Sequence, residues 1–136
     1  MYLKTESSYI SGLLNMASSC SKTIGLSYAD AECFNKDKYK QDFSKLHKIK
    51  EIDLSLEKLN ITFKELLTNI FGDEKEIIEG LSHWINLIAG TPNKVSMIND
   101  KTIIEKISDI PFYFLEDVFF IECENMVICI LIGNDE

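Results

Sequence analysis

At 136 residues, with 46% hydrophobic and 26% charged, the chain has ordinary globular composition and enough apolar side chain for one core; this excludes disorder and predicts a single domain over 1–136. A net charge of −8, with every cation a lysine and no arginine, argues against direct nucleic-acid binding, because phosphates are held by clustered Lys and Arg. The four cysteines lack a CxxC, the N-terminus lacks the apolar core of a secretory signal, and the longest apolar run (126–132) is too short to span a bilayer, so a cytoplasmic protein with reduced thiols is expected.

Ile10, Leu13, Leu14, Ala17 and Cys20 recur at helical spacing and predict an amphipathic helix over 7–20. The serine-rich stretch 18–27 reads as a connection, and 28–34 as a short helical turn. Over 36–50, Tyr39, Phe43, Leu46 and Ile49 form one apolar stripe with lysines on the other side, which predicts a helix with a solvated basic face. Ile52, Leu54, Leu56 and Leu59 fit either strand alternation or a continuing helix; 52–56 is a candidate edge strand. Thr62 and Glu65 form a capping box ahead of Phe63, Leu66, Leu67, Ile70 and Phe71, with Gly72 as the stop. Asp73 then caps the best-marked helix, with Glu74 and Glu76 in its first turn. That helix is expected to bury Ile77, Ile78, Leu81, Trp84, Ile85 and Ile88 and to end at Gly90 and Pro92. Asp100 is a candidate cap for a short helix through Ile103, Ile104 and Ile107. The runs 112–115, 118–123 and 126–132 are rich in Phe, Ile and Val and predict strands, with a tight turn at Glu124–Asn125. The expected fold is α+β, with N-terminal helices packed on a small C-terminal antiparallel sheet.

No catalytic motif is present. His47 and His83 lack a neighbouring nucleophile motif, no serine sits in G-x-S-x-G, and no glycine pattern cradles phosphate. Cys123 and Cys129 are too far apart in sequence for a common zinc module, and two buried thiols are expected in place of a metal site or a bridge. Neither a cofactor nor a metal is therefore expected. After Lys106 the chain has no cation, while Asp109, Glu116, Asp117, Glu122, Glu124, Asp135 and Glu136 all follow it. On a regular strand Glu122 and Glu124 share a face, and Val118 and Phe120 have the same parity. An exposed Phe120 ringed by Glu116, Asp117, Glu122 and Glu124 makes a candidate partner-binding patch, an aromatic anchor within steering charge. The competing acidic patch is Asp73, Glu74, Glu76 and Glu79.

This combination of small size, acidity and missing catalytic motifs resembles that of bacterial immunity proteins of the contact-dependent growth inhibition type. The resemblance implies a non-enzymatic monomer or weak dimer that neutralises a basic toxin domain. Such a toxin is often a nuclease, and its groove would be occluded by a surface of nucleic-acid-like charge. Two alternatives stay open: a dimeric secretion chaperone holding an effector segment, and an enzyme using the paired carboxylates, with or without a metal.

Overall fold

The computed structural model of the chain describes residues 4–20, 28–43, 48–53, 64–65, 67–68, 75–98 and 115–133. In chain order these form α1 (Lys4–Cys20), β1 (Tyr28–Phe34), α2 (Lys36–Phe43), β2 (Lys48–Asp53), α3 (Lys75–Ala89), β3 (Pro92–Ile98), β4 (Leu115–Cys123) and β5 (Val127–Gly133). Residues 64–65 and 67–68 are also helical, with Leu67 fully buried. The fold is α+β. The expected caps Thr62, Asp73 and Asp100, the acid Glu74, and the stretches 99–114 and 134–136 lie outside the described residues.

The sheet is larger than its C-terminal strands alone. Five strands lie in the order β1-β5-β4-β3-β2, antiparallel throughout. This explains why β5 reads as an unbroken apolar run: its neighbours are β1 and β4, and both its faces are covered. Ile128, Ile130 and Ile132 enter a core under α1 and α3, together with Ile10, Leu14, Ile78, Leu81 and Ile85. Val127, Cys129 and Leu131 enter a second core on the opposite face, with Tyr39 and Phe43 of α2.

Two local expectations are corrected. Residues 28–34 form strand β1, although Ala29, Ala31 and Glu32 at its centre favour a helix; seven register positions against β5 override that propensity. The basic helix expected over 36–50 ends at Phe43, and 48–53 is edge strand β2 beside β3, so Ile49 belongs to a strand and not to the helical stripe of Tyr39 and Phe43; Leu46 lies outside the described residues. Asn35 starts α2: its Oδ1 accepts the Lys38 N–H at 2.7 Å, the bond an N-cap makes. The Lys38–Asp42 ion pair at 2.7 Å is half exposed and adds little.

Helix α1 also closes a sheet edge. Ser11 Oγ donates to Ala31 O (2.8 Å) and accepts from Ala31 N (3.0 Å), while Ser7 Oγ accepts from Cys33 N (2.7 Å). Alternate residues of a strand turn their N–H and C=O groups to the same side. The two serines, one helical turn apart, thus occupy the side of β1 turned away from β5, where a further strand would otherwise pair.

Candidate functional site

The expected C-terminal patch lacks its aromatic anchor. Phe120 is only 1% exposed: it packs 5.2 Å from the rings of both Tyr39 and Phe43, so the anchor is covered by α2. The physical reason is position, since β4 is the middle strand of the sheet and is roofed on both sides. Glu122 is half-buried and stands in register with Lys94 of β3, which brings a cation into the acidic run. Glu124 is exposed but lies in the turn, so the strand face shared by Glu122 and Glu124 is broken there. Glu116 and Asp117 lie near the start of β4, where its register with β5 shifts.

The Glu124–Asn125 turn is where the sequence predicts it, and it docks on the end of α3. Glu124 N donates to Thr91 O (3.0 Å) and Asn125 N to Ala89 O (2.9 Å). Gly90 ends the helix with φ 86°, as its composition predicts.

Cys123 faces the α1/α3 core and Cys129 the α2 core, so the two lie on opposite sides of the sheet. Among the described residues, Cys33 is the thiol that shares a face with Cys123. Burial pushes both up to about 12 from an ordinary 9.0, with Ser7 lowering Cys33 and the neighbouring Cys33 raising Cys123 further. Both are neutral and poorly nucleophilic at neutral pH. His83 is exposed on α3, and His47 lies outside the described residues. Among the described residues no group of three or more His, Cys, Asp or Glu is placed to hold a metal.

What the molecule does expose is apolar surface on its helices. Trp84, expected in the core, is 43% exposed, and Tyr9 and Leu87 are 51% and 62% exposed. Tyr9 of α1 and Trp84 of α3 have ring centroids 6.3 Å apart, and His83 stands edge-on to Trp84 at 5.6 Å. Beneath them Ile10 and Leu14 of α1, and Ile78, Leu81, Ile85 and Ala89 of α3, are buried, which fixes both helices to the sheet. Carboxylates stand nearby: Glu6 precedes Tyr9 by three residues, and Glu76 and Glu79 are exposed on α3. Leu87 also borders an open groove of about 520 Å³ lined by Lys64, Glu79, Ser82, His83 and Asn86.

A signal for this surface exists in the sequence. At 3.6 residues per turn, Leu87 falls half a turn away from the Ile78–Leu81–Ile85 stripe, and Trp84 about a quarter turn. A helix with apolar side chains off its buried stripe has something left over to cover. Compared with known proteins, the chain matches no family model, and neither a curated protein nor a solved structure matches it.

Proposed function

We propose that this chain is a non-enzymatic acidic binding protein: an immunity protein that captures a basic toxin domain in the cytoplasm and occludes its active groove. The observation that carries the reading is an exposed aromatic and aliphatic cluster, Tyr9, Trp84 and Leu87, on two firmly seated helices of a chain with net charge −8. Large apolar groups exposed together on a rigid support are what a protein interface uses as anchors, and acidic surroundings steer a basic partner onto them. A nuclease fits as partner because its substrate groove is basic, and a chain of net charge −8 is drawn to such a groove without chemistry of its own.

The test begins with the neighbouring reading frame, expected to encode a large exoprotein with a C-terminal toxin domain. Co-expression of that domain with this chain should restore growth, and the purified pair should form a 1:1 complex whose association slows with added salt. Unrelieved toxicity with no complex refutes the reading.

A further inference from the structure

Gly12 and Gly80 lie inside α1 and α3, where glycine weakens a helix relative to alanine. Nothing in the described structure requires them. Neither has positive φ, and a Cβ at either position would meet nothing within 4 Å. Each stands one turn from an exposed ring: Gly12 three residues after Tyr9, Gly80 four before Trp84, spacings that share a helix face. Bare backbone beside an exposed aromatic lets a second chain come closer than any side chain would allow.

We propose that the α1–α3 face is the docking surface for a basic protein segment, which seats an aliphatic side chain against Trp84 and Leu87 and passes its backbone over Gly80. This rests on the binding-protein reading and adds to it the surface and the chemistry of the segment. The aliphatic anchor follows from the exposed Trp84 and Leu87, three residues apart on one helix. The basic flanks follow from the chain's net charge of −8, from Glu76, one helical turn before Gly80 on the same helix, and from Glu6, one turn before Tyr9. A second copy of the chain fits worse: a two-fold pairing would set these carboxylates against their own images and bring two chains of −8 together.

Trp84 is the sole tryptophan, so its emission reports the surface directly. Three synthetic helical peptides of equal length serve as probes: one of Leu and Lys, one with Glu replacing Lys, one with Ser replacing Leu. The Leu/Lys peptide alone should shift the emission to shorter wavelength, and salt should weaken the effect. Leu87→Ser, at the most exposed position, should lower affinity roughly tenfold without loss of fold. Gly80→Ala should raise Tm and still weaken binding, an outcome a purely structural glycine does not give. Equal response to the acidic peptide, no response at all, or unchanged affinity in both variants overturns the proposal. A blue shift that grows with the chain's own concentration, with a dimer in sedimentation, assigns the surface to a second copy and overturns it too. Toxin neutralised with Trp84 emission unchanged sinks this surface while the binding-protein reading stands; a selective peptide response without neutralisation does the reverse.

Discussion

Gly90 combines two constraints that alanine cannot meet. Its φ of 86° lies in the left-handed region, and a Cβ there would sit 2.7 Å from Glu124 Cβ, where the β4–β5 turn lies against the end of α3. Gly90→Ala should cost about 2 kcal/mol or more in urea unfolding, from the backbone penalty plus displacement of the turn. Gly12→Ala and Gly80→Ala, with open space and helical backbone, should instead gain about 0.5–1 kcal/mol each. If all three behave alike, the Gly90 contact is not made in solution. The buried thiols give a second test at this scale. The folded state holds the protons of Cys33 and Cys123 to about pH 12, while the unfolded chain releases them near 9.0. Between those values the native state binds more protons, so the thiols' contribution is complete below pH 9.0 and is lost as pH rises toward 12. Urea unfolding at pH ~8 and ~10.5 should show Cys123→Ala losing less stability between the two than the wild type.

Among the elements, α1 has a dual task, since it contributes Ile10 and Leu14 to the core and Ser7 and Ser11 to the edge of β1. Ser7→Ala removes the acceptor for a buried Cys33 N–H and should cost about 1–3 kcal/mol. With Ser11→Ala added, light scattering on mild heating should rise more than the lost stability alone explains, because β1 then offers unpaired backbone to other chains. Scattering that simply follows the fraction unfolded would deny the serines this protective role. Neither serine announces the task in sequence: the contact spans 20 to 26 residues, and local periodicity does not reach so far. The same range separates the legible elements from the rest. Helix α3, its stop at Gly90 and the Glu124–Asn125 turn are set by neighbours in sequence and were readable. Strand β1 and the shortness of α2 are decided by pairing with β5 and β3, and local propensity pointed elsewhere. Phe120 shows the limit of alternation. Parity gives the face of the sheet a side chain takes, whereas only the position of α2 decides that this face is covered. Trp84 shows the converse, an apolar residue assigned to the core although its helical angle put it beside the stripe.

For the molecule as a whole, charge along the chain proves a poor guide to charge in space. The stretch 107–136 carries no lysine, yet Lys94 comes into register with Glu122. Among the described residues, Glu6 precedes the exposed Tyr9 by one helical turn, and Glu76 and Glu79 share α3 with the exposed Trp84 and Leu87. Two charge-reversal variants separate local steering from net charge. Lysine at Glu6, Glu76 and Glu79 changes the charge by six, and lysine at Glu116, Asp117, Glu122 and Glu124 changes it by eight. If the partner senses only overall charge, the second variant must associate more slowly than the first. If it is steered to the α1–α3 face, the first should be slower and lose its salt dependence, while the second keeps a near-normal on-rate. Stopped-flow association with the toxin domain at low and moderate salt distinguishes them, with circular dichroism confirming that each variant is folded. A slower second variant with an unaffected first would return the interface to the C-terminal acids, now without Phe120, which the core retains.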